Sequence, residues 1–262
     1  MDLGLKDKPV LVMASSSGIG KAVAREFAAE GAQVMLFARS EERLRQARQE
    51  IATATGREPA YTVGDITRYE DIRRAVGDTA RHYGGIYGLV NNCGGPPAGE
   101  FDAFDDPDWQ NAFELTLFSY IRSIREVLPH MKAAGGGRIV NLTSSSTRQA
   151  IDGLILSNTF RMGVVGLTKT LSRELAPARI LINVAGPGRI QTERAGVLLE
   201  IRSQKTGKPP EELQRAAEAE VPLGRYGQPE EMARLVAFLA SEANTYITGQ
   251  VVLADGGLVK AY

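Results

Sequence analysis

The run "VLVMASSSGIGKAVAREFAAEGAQVMLFARS", residues 10–40, decides the fold. It reads as an apolar strand, a turn of serines and glycines, an amphipathic helix and a second apolar strand. Ile19, Val23 and Phe27 recur at helical spacing. The flanking runs are almost continuously hydrophobic rather than alternating, as expected of strands covered on both faces. In such a unit the turn's N–H groups and the helix N-terminus face a pyrophosphate.

The same rhythm continues outward. Strand-like runs fall at 9–13, 33–38, 60–63, 86–92, 138–143, 180–185 and 250–254, with helical faces across 41–54, 69–82, 109–132, 159–175 and 229–241. Alternation of this kind, with right-handed crossovers, predicts an α/β fold: one doubly wound parallel sheet of about seven strands with helices on both faces. No repeat or linker divides 1–262, so one domain is expected. Residues 189–228 break the rhythm with a long charged excursion, read as two short helices split by "GKPP". It is either a helical lid beyond the carboxyl ends of the strands or a solvated hairpin used in oligomer contacts.

Composition excludes several classes. Lys plus Arg number 31 and Asp plus Glu 31, so no net field favours nucleic acid. No apolar run is long enough to span a membrane, and "MDLGLKDKPVLVM" lacks the marks of a signal peptide, which predicts a cytoplasmic protein. The single cysteine, Cys93, excludes an internal disulfide and a cysteine-cluster metal site. His82 and His130 lie in charged helical surroundings and read as surface residues, so no metal is expected.

At the cofactor end, Ala14, Ser16, Ser17, Gly18, Ile19 and Gly20 are the candidate phosphate-side contacts. After the second strand an acidic residue would hold both ribose hydroxyls of NAD. Arg39 stands there instead. Its guanidinium suits a 2′-phosphate, so NADP is preferred to NAD; the alternative is that Arg39 pairs with Glu41 or Glu42.

"SSSGIG", "GDIT", "LVNNCGG", "GRIVNLTSSS", "GLTKTLSRELAP", "PGRIQTE" and "YITGQVVLADGG", in this order, resemble the short-chain dehydrogenase/reductase family over practically the whole chain. The similarity is greatest to the 3-oxoacyl-acyl-carrier-protein reductase type. It implies a Rossmann-type fold, NADP, a small carbonyl or acyl-thioester ligand and a homotetramer. It also implies that Asp65 and Ile66 flank the adenine, Asn91 and Asn92 shape the central strand end, and Pro187, Gly188 and Ile190 border the nicotinamide.

The resemblance further implies four catalytic positions: a tyrosine acid, a lysine on the nicotinamide ribose, a serine on the substrate oxygen and an asparagine anchoring a water. Here the serine is Ser144, but the tyrosine position is Ser157, the lysine position Arg161 and the asparagine position Thr116. In the glycine turn, Met13–Ala14 stands where Thr–Gly is usual. The stretch "SNTFR" resembles a branch of oxoacyl-reductase-like sequences with this same replacement.

These changes alter the chemistry. A phenol has a pKa near 10 and is tunable by an adjacent cation, whereas an aliphatic hydroxyl is a far weaker acid. Loss of a general acid costs ~10² to 10⁴ in rate. A guanidinium stays charged and is no proton shuttle. Tyr120, four residues past Thr116, is either a substitute acid or a packed core tyrosine. No histidine accompanies the serines, so a hydrolytic triad is not expected. Three readings stand: an NADP-dependent carbonyl reductase with a modified proton path, a non-catalytic nucleotide- or ligand-binding protein, and a structural subunit.

Overall fold

A computed structural model describes residues 1–261. The elements alternate through most of the chain: β1 (Pro9–Val12), α1 (Gly18–Ala29), β2 (Gln33–Ala38), α2 (Glu41–Thr55), β3 (Ala60–Val63), α3 (Tyr69–Tyr83) and β4 (Gly88–Asn91). Then come α4 (Asp106–Phe113), α5 (Ser119–Ala133), β5 (Gly137–Leu142), α6 (Ile155–Leu175), β6 (Ile180–Pro187), α7 (Glu193–Thr206), α8 (Pro210–Ala219), α9 (Pro229–Leu239) and β7 (Val251–Ala254). The seven strands form one parallel sheet in the order β3-β2-β1-β4-β5-β6-β7. The expected doubly wound α/β architecture is present.

Successive side chains of a strand point to opposite faces, and each face here has its own apolar core. Val10 and Val12 join Val34, Leu36, Phe27 and Val236 on one side. Leu11 and Met13 join Met35, Phe37, Ile72 and Val127 on the other. Covering both faces is why these strands read as continuous apolar runs. Chain direction across the sheet reverses between β1 and β4, so a crevice opens at their carboxyl ends.

The helix expected across 109–132 is broken. Asp105 caps α4 in a reciprocal capping box with Asp108, α4 ends at Phe113, and a π turn over Glu114–Phe118 precedes α5. Such turns widen a helix by one residue and are frequent at functional sites. This one holds Thr116, fully buried, with an Oγ1 that has no protein partner. The excursion after β6 forms the two expected helices, α7 and α8, separated at Gly207, which adopts φ +70°.

Candidate functional site

The glycine turn sits between β1 and α1. Gly18 adopts φ +53°, and a Cβ on Gly20 would overlap the Ala14 carbonyl. Ala14 itself adopts φ +47°. Asn92 Nδ2 donates to the Ala14 carbonyl at 3.1 Å, so Asn92 braces the turn from the end of β4. Ser15, not singled out from sequence, fastens the other side: its buried Oγ accepts from Phe37 N at 3.0 Å. Ser17 is the N-cap of α1 but makes no side-chain cap bond, and the first turn carries no acid. The leading amides of α1 are therefore available to an anion. Ser16 and Ile19 lie half-buried beside them.

Arg39 is exposed and forms no ion pair among the described residues; Glu41 pairs with Arg45 instead. The alternative that Arg39 is neutralised by its acidic neighbours therefore does not hold. Asp65 Oδ1 accepts from the amide and hydroxyl of Thr67 at 2.9 and 2.8 Å, which fixes the carboxylate after β3 beside buried Ile66. Beyond β6, Gly188 passes so close to Asp255 that a Cβ would lie 2.6 Å from its Cα. Ile190 is buried and bridges to Gly227. Thr192 was also missed from sequence: it caps α7 by accepting from Ala195 N, and its methyl lies 3.6 Å from where a Gly18 Cβ would be. The start of α7 thus faces the glycine turn. These features fit a dinucleotide: free helix amides and a closely approachable backbone for the pyrophosphate, and an unpaired arginine beyond β2.

The chemical end is assembled from β5 and α6. Ser144 Oγ accepts from Ser146 N at 3.0 Å, which leaves its own proton free to donate. Ser157 and Arg161 are 7% and 8% exposed, and Arg161 Nε donates to Ser157 Oγ at 3.0 Å. The Ser157 proton is likewise free for an acceptor. Arg161 Nη1 also donates to the Leu142 carbonyl at 3.4 Å. A buried polar network fastens this end of α6 to the sheet. Asn91 Nδ2 donates to Asn141 Oδ1 at 2.9 Å, Asn141 Nδ2 to Thr168 Oγ1 at 2.8 Å, and Ser123 Oγ to Asn91 Oδ1 at 2.5 Å. Asn91 is therefore a structural brace.

Tyr120 is fully buried, and its hydroxyl donates to the Leu142 carbonyl at 2.7 Å, with Cys93 Sγ at 3.6 Å. Burial pushes its pKa well above the ordinary phenol value, the Cys93 thiol adds to this, and the Arg161 charge opposes it. Tyr120 stays protonated and packed; it supports the Leu142 carbonyl that Arg161 shares. His82 is exposed and His130 half-buried, both far from this chemistry in sequence and in element. Among the described residues no cluster of His, Cys, Asp and Glu could hold a metal.

A cleft of about 630 Å³ opens beside Ser145, between Gly99–Leu154 and the inner side of α7, with Leu154, Leu198 and Ile201 on its walls. Arg194 of α7 reaches the Gly95 and Pro96 carbonyls, each at 3.0 Å.

Comparison with known proteins agrees with this geometry. Residues 13–259 match the family model described as enoyl-(acyl carrier protein) reductase. The 3-oxoacyl-[acyl-carrier-protein] reductase FabG of Aquifex aeolicus (strain VF5) is 33% identical over 258 residues, spanning 98% of this chain and all of the relative. L-sorbose reductase from Gluconobacter frateurii, solved with NADPH and L-sorbose, superposes with a TM-score of 0.95 at 30% identity over the full length of both chains. A single-residue variant of actinorhodin polyketide ketoreductase, solved with NADPH, gives a TM-score of 0.92 at 34% identity, covering 97% of this chain and 98% of its own. The crevice at β1 and β4, the braced glycine turn and the full-length match together place the chain in the short-chain dehydrogenase/reductase family.

Proposed function

We propose that the protein is an NADP(H)-dependent oxidoreductase that reduces a small carbonyl or acyl-thioester compound, with the product's proton drawn from water rather than from a side chain. The observation that carries this reading is the Arg161–Ser157 bond, in which the serine oxygen is the acceptor and its proton is left without a protein acceptor. When bound, the dinucleotide supplies the hydride. The amides at Gly18–Gly20 would hold its pyrophosphate, Arg39 its 2′-phosphate, Asp65 and Ile66 would flank its adenine, and Pro187, Gly188, Ile190 and Arg161 would border its nicotinamide end. Relatives and neighbours named as reductases, two of them solved with NADPH, support the same coenzyme here.

Ser144 and Ser157 then offer two hydroxyl donors to a carbonyl oxygen, and Arg161 supplies positive charge to the alkoxide that forms. A serine hydroxyl is about as weak an acid as water, so the serines act by hydrogen-bonding the oxyanion, and the net proton the product gains comes from solvent, directly or by replacing one that Ser157 passes on. Thr116, with its buried unpartnered Oγ1, suits a water at the position the resemblance gives to an anchoring asparagine. The segment 189–228 acts as a lid over the cleft. A homotetramer belongs to the same proposal, supported by β7, an edge strand whose four residues are all half-buried, and by exposed Tyr246 just before it. So does a cytoplasmic location; among the described residues no helix is long and apolar enough to cross a membrane.

A second reading, a non-catalytic NADP(H)-binding protein, draws on the same Ser157 and Arg161. NADPH oxidation with a panel of ketones and oxoacyl thioesters separates them. The reductase reading expects slow turnover that is flat from about pH 6 to 9, because no group in the proton path titrates there. The Ser157→Tyr, Arg161→Lys double variant is expected to raise it by roughly 10²-fold or more. Tight NADPH binding without turnover in either protein would favour the second reading.

A further inference from the structure

The cleft beside Ser145 carries an ion pair that is only half made. Arg189, at the start of the excursion after β6, lines it together with Glu220, the residue that ends α8. Arg189 Nη2 donates to Glu220 Oε2. The neighbouring Nε of the same guanidinium is buried and has no protein acceptor. The other carboxylate oxygen, Glu220 Oε1, accepts from no donor among the described residues. A side-on arginine–carboxylate pair makes two parallel bonds when it is complete. Here one is made, and a donor and an acceptor stand open beside it.

Both residues are held at the cleft wall by their elements. The Arg189 carbonyl accepts from Gly227 N, and the Gly227 carbonyl from Gln191 N, each at 2.9 Å. Glu220 is anchored between Ala217 on the buried side of α8 and buried Val221. The two ends of the excursion thus meet at the cleft.

Charge decides what this pair can take. A carboxylate or phosphate would face the Glu220 charge, and an ammonium the Arg189 charge; a neutral group meets neither repulsion. The other charged groups on the walls also balance: Lys205 pairs with Glu100, and exposed Arg202 is offset by exposed Asp152. A secondary amide points its N–H and C=O in opposite directions, so it cannot fill both openings. A hydroxyl accepts and donates through a single oxygen. It would satisfy the buried Nε, a donor that is costly to leave unmade.

We infer that Arg189 and Glu220 form a hydroxyl-recognising subsite, making neutral hydroxy ketones the preferred carbonyl compounds. The inference rests on the carbonyl-reductase reading above and specifies its substrate class. The carbonyl oxygen meets Ser144 and Ser157, and the carbon chain passes Leu154 and Leu198. The hydroxyl oxygen accepts from Arg189 Nε, and its proton goes to Glu220 Oε1.

The test titrates matched ketones against the full-length protein by ligand-observed NMR, with and without saturating NADPH. Butan-2-one, pentan-2-one and hexan-2-one are compared with their terminally hydroxylated derivatives, and levulinate serves as an anionic probe. At least one hydroxy ketone is expected to bind about tenfold or more tightly than its parent and than levulinate. Arg189→Met and Glu220→Ala should each bring that pair to equal affinity. A pair serving only to hold the excursion would instead weaken parent and derivative together. Equal binding of every pair in the unmodified protein, binding of none, or tighter binding of levulinate overturns the subsite. So does a hydroxyl preference that survives either variant. A preference that is lost in both variants, in a protein that never oxidises NADPH, would support the subsite and remove only the reductase reading.

Discussion

Ala14 occupies a left-handed backbone position, φ +47°, where β1 turns toward α1. A left-handed conformation costs an L-residue roughly 1–2 kcal/mol, and glycine avoids it while giving back roughly 0.4–1 kcal/mol in the unfolded chain. Ala14→Gly is therefore expected to stabilise the protein by about 0.5–1 kcal/mol, read as a higher urea midpoint with an unchanged slope. A lower midpoint would mean that the methyl group contributes packing that outweighs its strain. This departure was legible through the family resemblance, which puts a glycine where the sequence supplies an alanine. Ser157 and Arg161 were legible in the same way, as the residue types that stand at the positions the resemblance gives to a tyrosine and a lysine. The Tyr120 hydroxyl was not. Its place beside the Leu142 carbonyl depends on the extra residue of the π turn before α5, which shifts the phase of every later side chain and leaves no mark in apolar spacing. Arg194 was equally hidden, since a charged residue in a charged excursion looks solvated until the chain folds back onto Gly95.

At the level of elements, the strands and most helices followed directly from hydrophobic patterning, because both faces of the sheet are covered and each helix has one apolar side. The return from the 189–228 excursion depends on a polar lock instead. Both Glu231 oxygens accept from Arg225, at 2.8 and 2.7 Å, and Oε2 also accepts from Gln228 N at 2.7 Å at the start of α9. Arg225, followed by the Gln228 amide, lowers the Glu231 pKa to about 2 from an ordinary 4.5. A depressed carboxylate pKa contributes stability that is present above the unfolded value and is lost as pH falls through the folded one. The unmodified protein should thus lose stability between about pH 4.5 and pH 2. Glu231→Gln should be less stable at neutral pH and show a shallower acid limb in thermal melts recorded across that range. Parallel acid limbs in the two proteins would contradict the lock. Sequence contained the acid three residues after Gln228, but its Arg225 partner lies six residues earlier, across the turn before α9, a spacing that matches no helical or strand pattern.

Over the whole molecule, the arrangement divides into a retained half and an altered half. The half at β1, α1 and the start of α7 keeps what an anionic dinucleotide needs: free amides, a tight backbone and an unpaired cation beyond β2. The half at β5 and α6 keeps the serine hydroxyls and a positive charge while lacking an acid of suitable pKa. Both halves are fastened to one sheet by hydrogen bonds, the part-buried Asn92 to Ala14 on one side and the buried Asn91–Asn141–Thr168 chain on the other. The measurement that tests this division most directly is a calorimetric titration of the full-length protein with NADPH and with NADH. An exposed charge-assisted contact of about 1.5–3 kcal/mol from Arg39 to the 2′-phosphate corresponds to roughly 10- to 100-fold in affinity. One NADPH per chain, held at least tenfold more tightly than NADH and losing that margin in Arg39→Ala, is the result expected. No binding of either dinucleotide, or tighter binding of NADH, would contradict it.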